Sequence, residues 1–287
     1  MKKKNKKSAN NQLVKAYNNT EFLNSPSARL IRIMSEMIEP AVRFKKNGVK
    51  DTVVFFGSAR ILPRNTASLN LKKIKTQLSK TRSPSARLQS QHEKAKRDLD
   101  MSGYYEDAMR LSEKLTSYFK RQNKDLMVCS GGGPGIMEAA SRGAKRAGGK
   151  SIGLNISIPT EQIPNPYQTR ELAFEFHYFF IRKFWFFYLA RALVVFPGGF
   201  GTMDELIELL TLLQTGNKSK KCVTIILYGS DYWREVINFN KMVEWGTISE
   251  KDLKLFKIFD SVDEVFRYLI AQLGKCRIHN KCESSPF

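Results

Sequence analysis

Three glycine-rich turns are the parts of this 287-residue chain best suited to chemistry: Gly57-Ser58, Gly131-Gly132-Gly133-Pro134-Gly135 and Pro197-Gly198-Gly199-Phe200-Gly201-Thr202. Each follows a short apolar run that reads as a strand. Backbone without a Cβ lets an anion come close, and a helix starting at such a turn adds free N–H groups and the positive end of its dipole. One turn of this kind alone is better explained as a tight strand–helix connection. Three of them at one sheet edge point to a phosphate-bearing ligand, with Gly57, Ser58, Gly131, Gly132, Gly133, Gly199, Gly201 and Thr202 as the candidate cradle. The specific nucleotide fingerprints fail: Ile136 stands where G-x-G-x-x-G needs its third glycine, Asn155 replaces the ribose-binding acid, and no G-x-x-x-x-G-K-[S/T] loop is present. NAD(P) binding and P-loop ATP hydrolysis are therefore disfavoured, and no cofactor is expected.

Other chemistry-bearing residues have plainer readings. Thr202-x-x-Glu205 has capping-box spacing, in which the glutamate serves only the helix start. Glu138 has a helix-dipole reading, and Cys129 reads as a small buried hydrophobe. Cys276-x-x-His279-x-x-Cys282 lacks a fourth ligand and sits among Lys275, Arg277 and Lys281, so a frayed basic end is expected rather than a metal site. Ten of the fifteen residues 174–188 are aromatic. Packing in the core or at a subunit interface is the first explanation, with Phe179 or Phe180 stacking on a base as the functional one. His177 is read as a packed or solvated histidine.

The elements that must position these residues alternate. Asp51–Gly57 reads as a buried strand. From residue 103 the pattern predicts helix 104–121, strand 125–130, helix 134–147, strand 150–156, a Pro-rich loop over 159–167, helix 176–190, strand 192–196, helix 202–215, strand 222–228, helix 232–245, a short strand near 256–259 and helix 261–273. This order implies an α/β fold: a Rossmann-like, doubly wound, mostly parallel sheet with helices on both faces. Ser25 and Pro26 signal a further helix over 25–47, interrupted or kinked by Pro40. The hexapeptide SPSARL at 25–30 recurs at 83–88, and both copies read as helix starts.

Composition narrows the rest. With 42% hydrophobic residues the chain can build a core, so global disorder is excluded. The net charge of +21 suggests a nucleic-acid or membrane footprint at first sight. Its distribution is uneven: residues 1–50 carry 12 basic and 3 acidic residues, 61–102 carry 10 and 3, and 103–287 carry 25 and 20. The expected organisation is a disordered basic tail (1–24) and a single domain (25–287) with a basic insertion (61–102). The most apolar stretch, 172–196, contains Glu175, His177, Arg182, Lys183 and Arg191, too many ionisable groups for a membrane span. No apolar run follows Lys2–Lys7 as a signal peptide would require. A cytoplasmic protein with no membrane partner is expected, and nucleic acid is a disfavoured partner.

Pro197–Glu205, PGGFGTMDE, resembles the P-G-G-x-G-T-x-x-E signature of the LOG family, named after the "lonely guy" cytokinin-activating phosphoribohydrolases. FFGSAR (55–60), SGGGPGIMEAASRGA (130–144), IGLNISIP (152–159) and FHYFFIRKFWF (176–186) are similar to the longer bacterial branch of that family, formerly labelled lysine decarboxylase. Arg182-Lys183 stands fifteen residues before Pro197, as an Arg-Lys pair does in the shorter members. The resemblance covers 25–60 and 103–270. It implies hydrolysis of the N-glycosidic bond of a nucleoside 5′-monophosphate, of the AMP or N6-modified AMP type, to free base and ribose 5-phosphate. Arg182 and Glu205 would then be catalytic. Gly199, Gly201 and Thr202 would hold the phosphate beside Lys183, and Thr211 would be a further binding position. A carboxylate beside an oxocarbenium-like transition state is chemically apt. The family also implies a homodimer or larger assembly. Three alternatives stand beside it: a non-catalytic nucleotide or cofactor carrier like the molybdenum-cofactor carriers of this fold, a pyridoxal-phosphate decarboxylase, and a nucleic-acid binder. Relatives pass from GSAR to the YYEDAM-like helix in a few residues, so 61–102 is the departure, expected to be a lid, an interface or disordered.

Overall fold

The strand leading into the first glycine turn, β1 (Asp51–Phe56), buries Val53 and Phe55 toward one side and Val54 and Phe56 toward the other. A strand apolar on both faces must be covered on both, and β1 lies at the middle of the sheet. The computed structural model describes residues 13–122, 125–157, 163–216 and 223–276. Among them, β2 (Leu126–Ser130), β3 (Ser151–Ile156), β4 (Ala173–Phe176), β5 (Ala190–Val195), β6 (Thr224–Tyr228) and β7 (Phe256–Phe259) complete an all-parallel sheet of order β4-β3-β2-β1-β5-β6-β7. The chain winds outward from β1 through β4, then returns to pair β5 on the other side of β1. The turns after β1 and β5 therefore flank the point where the winding reverses, the place where open α/β sheets bind ligands.

Ten helices are described in chain order: α1 (Thr20–Asn24), α2 (Arg29–Lys46), α3 (Arg64–Ser79), α4 (Ala86–Arg121), α5 (Ile136–Arg146), α6 (Phe179–Tyr188), α7 (Phe200–Gln214), α8 (Ser230–Val236), α9 (Phe239–Glu244) and α10 (Val262–Cys276). Two cores lie on the two faces of the sheet. One joins α4, α5 and α10 to Val53, Phe55, Val194 and Ile226. The other joins α2, α6, α7 and α8 to Val54, Phe56, Leu193 and Leu227. Among the described residues no helix is long and apolar enough to cross a membrane.

The structure settles or departs from the sequence reading at several points. Residues 1–12 lie outside the described residues, but within the expected disordered tail Ala16–Asn18 forms a 3-10 turn and α1 is helical, with Asn19 capping it through the Phe22 N–H. The basic insertion is ordered: α3 and the first half of α4 form an antiparallel hairpin. Ala67, Leu71, Ile74 and Leu78 face Leu88, His92, Ala95 and Leu99 at four–three–four spacing, a stripe too narrow to stand out among polar residues. α2 runs through Pro40 without ending. β4 was hidden because Phe174 and Phe176 alternate with exposed Glu175 directly before an aromatic helix, which consequently starts at Phe179 rather than 176. The helix expected over 232–245 is two, because the chain extends at Ile237 and Asn238 recaps it through the Lys241 N–H. Of the two SPSARL copies, Ser25 precedes a 3-10 turn leading into α2, whereas Ser85 caps α4 through the Leu88 N–H.

α4 and α5 pack closely through Gly143, where an added Cβ would strike the Met109 carbonyl and the Ser112 side chain, beside a buried bond from the Ser112 hydroxyl to the Ala140 carbonyl (2.5 Å). Gly143→Ala is expected to destabilise the fold by about 1–3 kcal/mol through overpacking, read as a lower urea midpoint at unchanged m-value.

Candidate active site

The third glycine turn leaves β5 and becomes α7 with Gly199 as its N-cap, accepting the Thr202 and Met203 N–H groups (both 3.0 Å). The Phe200 and Gly201 amides thus lie in the first helical turn, where no intrahelical carbonyl serves them. Nothing lies within 4 Å of where a Cβ would be on Gly199 or Gly201, so both leave open space at this helix start. Gly198 is required differently: a Cβ there would run into the Thr202 side chain. The Tyr232 hydroxyl donates to the Gly198 carbonyl (2.5 Å), tying the turn to α8.

With Gly199 as N-cap, Thr202 is the third helical residue and Glu205 the sixth. The capping-box reading of Glu205 therefore fails on geometry. Glu205 is 2% exposed, and its Oε1 lies 3.5 Å from Nη2 of Arg182 on α6. Oε2 of Glu205 and Nε of Arg182 are buried without a hydrogen-bond partner. Burial raises the Glu205 pKa to about 7, against the lowering pull of Arg182 and Lys183. Burial likewise lowers the Arg182 pKa, opposed by Glu205 and Asp204. The guanidinium lies against the rings of Phe179 (5.1 Å) and Phe186 (5.4 Å). A half-satisfied ion pair out of water is costly for stability alone, and such pairs mark functional sites.

The two helices that hold this pair are fastened from outside. Lys183 Nζ bridges Asp204 and Glu208 on α7 (2.7 Å each). Burial opposes its charge, but the bonds to Asp204 and Glu208 prevail and raise its pKa. Lys183 thus joins α6 to α7, and its ammonium is engaged by carboxylates rather than left for a phosphate. The start of α6 is held by Glu36 of α2, whose carboxylate accepts the His177 and Tyr178 N–H groups (2.8 and 3.2 Å) while its carbonyl accepts Trp185 Nε1 (3.0 Å).

The other two turns lie beside the first. Ser58 donates its N–H to the Pro197 carbonyl (2.9 Å) and accepts the Ile136 N–H (3.2 Å), so the β1 turn touches both neighbours. A Cβ on Gly57 would press into Ile136. Gly131, Gly132 and Gly133 are buried. Gly132 takes φ +74°, and a Cβ there would collide with Asn155. Its carbonyl accepts the Asn165 N–H, Asn165 Nδ2 (both 2.8 Å) and Gln168 Nε2 (2.7 Å), while Asn155 Nδ2 donates to Gln168 Oε1 (2.9 Å). Asn155, Asn165 and Gln168 therefore lock the turn, a role the sequence reading missed. The amides clustered in the Pro-rich loop were its only signal.

The remaining candidates disperse. Thr211 is exposed, bonded to the Ile207 carbonyl, and two to three helical turns from the glycine turn. Phe179 and Phe180 are about half exposed and Phe200 almost wholly so, at 96%. His177 is exposed, Cys129 is buried, and Glu138 accepts the Tyr105 hydroxyl (2.7 Å). The Cys276, His279 and Cys282 side chains lie outside the described residues.

Residues 137–269 match the model of a family described as possible lysine decarboxylase. The chain is 30% identical over 135 residues to the pyrimidine/purine nucleotide 5′-monophosphate nucleosidase of Escherichia coli strain K12, covering 40% of this chain but only 28% of that protein. It is 31% identical over 155 residues to the cytokinin riboside 5′-monophosphate phosphoribohydrolase LOG3 of Arabidopsis thaliana, covering 52% of this chain and 66% of that one. Among solved structures, the molybdenum cofactor binding protein of Rippkaea orientalis aligns with a TM-score of 0.38 at 18% identity, over 60% of this chain and 88% of that one.

A buried carboxyl with a raised pKa favours folding below its unfolded value of 4.5 and loses that contribution as pH rises toward about 7. Arg182→Gln removes the charge that holds the Glu205 pKa down, so the loss extends to higher pH. Urea unfolding should show this variant more destabilised relative to the parent at pH 9 than at pH 6. An equal deficit at both would mean that the two side chains are not coupled.

Proposed function

We propose that the chain is a member of the LOG family, the family described as possible lysine decarboxylase, and that it hydrolyses nucleoside 5′-monophosphates of the AMP or N6-modified AMP type to free base and ribose 5-phosphate. The observation that carries this reading is the buried Arg182–Glu205 pair with Oε2 and Nε unused, beside the open helix start at Gly199–Gly201. Two relatives are named for nucleotide 5′-monophosphate substrates. In the proposed mechanism the phosphate takes the free amides at the start of α7 with the Thr202 hydroxyl. The ionised Glu205 faces the cationic sugar as the glycosidic bond breaks and orients the water that attacks it. Arg182 meets negative charge on the substrate. Exposed Phe179, Phe180 and Phe200 support an assembly in which a second copy covers this rim.

A pyridoxal-phosphate decarboxylase needs a neutral lysine to form a Schiff base. Lys183, the lysine adjoining the site, is held charged by two carboxylates.

Incubation with a panel of nucleoside monophosphates should release ribose 5-phosphate, with adenine nucleotides preferred. No release from any of them would favour a binding protein of the same fold. Glu205→Gln should lower kcat by roughly 10²–10³ with far-UV circular dichroism unchanged. Because the reaction needs the carboxylate, kcat/KM should fall on the acid side with an apparent pKa of about 7. An acid limb near 4.5 would contradict the buried, desolvated state of Glu205.

A further inference from the structure

We propose that the hairpin of α3 and the first half of α4 is a nucleic-acid-binding arm that grips the sugar–phosphate backbone of a duplex without reading its sequence. The inference is independent of the hydrolytic reading. From residue 52 to residue 92 the chain contains no Asp or Glu. Within that span lie Arg60, Arg64, Lys72, Lys73, Lys75, Lys80, Arg82 and Arg87. All eight are exposed, and none has an ion-pair partner among the described residues. Directly after this span the pattern changes: acidic residues return, Lys94 pairs with Asp98 and Lys96 with Glu93. The unpaired charge is also built onto a fixed support. The hairpin seam is apolar, and the Arg64 N–H at the start of α3 is bonded to Glu106 of α4 (3.0 Å).

The surface chemistry selects the partner. A shallow groove along α3 is lined by Lys72 and Lys75 with Ser68, Thr76 and Ser79, over the inward-facing Leu71. Lysines interleaved with hydroxyls are the composition that contacts phosphate oxygens. Residues 57–103 contain no Phe, Tyr or Trp, so the arm offers no platform for stacking unpaired bases, as single-strand binders do. Leu69 is the one large hydrophobic side chain on the described arm that is mostly exposed, at 67%, too little to anchor in a lipid surface. A duplex presents the densest row of phosphates, about one charge per 1.7 Å, and α3 is long enough to track roughly seven base pairs.

The test is fluorescence anisotropy of labelled 20-base-pair RNA and DNA duplexes of mixed sequence against the full chain, titrated from low to physiological salt. Binding should be sequence-independent, with Kd roughly 1–100 µM near physiological salt, weakening steeply as salt rises. The triple variant Lys72→Ala, Lys73→Ala, Lys75→Ala should bind at least tenfold more weakly and lower the magnitude of the salt slope by about 2.7. Its thermal midpoint should be unchanged, and its turnover of free AMP should stay within twofold of the parent. The corresponding Lys→Arg triple should bind like the parent. Separately, Lys2, Lys3, Lys4, Lys6 and Lys7 are replaced by Ala in the full chain. Loss of binding only in that variant would overturn the assignment to the arm. So would duplex binding unchanged in the Lys→Ala triple, no duplex binding at low salt, or tighter binding to phosphatidylglycerol vesicles at equal phosphate.

Discussion

The site depends on one constraint: the Glu205 carboxylate is kept out of water with a single cation beside it and one oxygen unused. Nothing in α7 alone requires this, since a helix with Gly199 as its cap has no need of a carboxylate at its sixth position. Burial follows from the contact of α6 with α7, and that contact is secured at its ends. Lys183 fastens the two helices at their outer surface, and Glu36 holds the first turn of α6. Lys183 and Glu36 therefore act on the position of the Arg182 guanidinium through α6.

Sheet topology explains why the glycine turns meet one another at the start of α7, the helix that carries Glu205. β1 is flanked by β2 on one side and β5 on the other, so the turns after these strands emerge side by side. Ser58 bonds to Pro197 and to Ile136, joining three segments widely separated in sequence. The Gly132 turn is then locked from a fourth segment by Asn165 and Gln168. In many dinucleotide sites an acid at the end of the second strand of such a unit takes the ribose hydroxyls. Here Asn155 occupies the corresponding place and spends its amide on the protein.

Much of this was legible in the sequence because it rests on local rules. Two-faced apolar strands, glycine after strands, and helices of 10–15 residues predict six of the seven described strands and the winding of the sheet. Glu205 and Arg182 stood out through a nine-residue motif and a fixed spacing. What escaped depends on contacts between distant segments. β4 is four residues long and merges with an aromatic helix, so its period-two alternation was masked. Glu36 caps a helix 141 residues away, which no local window can reveal. Lys183 reads as a phosphate ligand by analogy, yet Asp204 and Glu208 claim it once α6 and α7 are packed. The order of the arm was not legible because its seam is one narrow stripe, Ala67, Leu71, Ile74 and Leu78 against Leu88, Ala95 and Leu99, among mostly polar residues.

The central place of β1 also bears on the order in which the molecule can assemble. Asp51 accepts a bond from Arg191, 140 residues later, and β1 pairs with β5 along its length. Cα partners this far apart carry a high loop-closure entropy, so such a strand acquires its second neighbour late and folding is slowed accordingly. Until then one edge of an apolar strand is unpaired, and the half-folded chain is open to wrong pairing with other chains. In a protein built this way the glycine turns after β1 and β5 are brought together only when that last pairing forms.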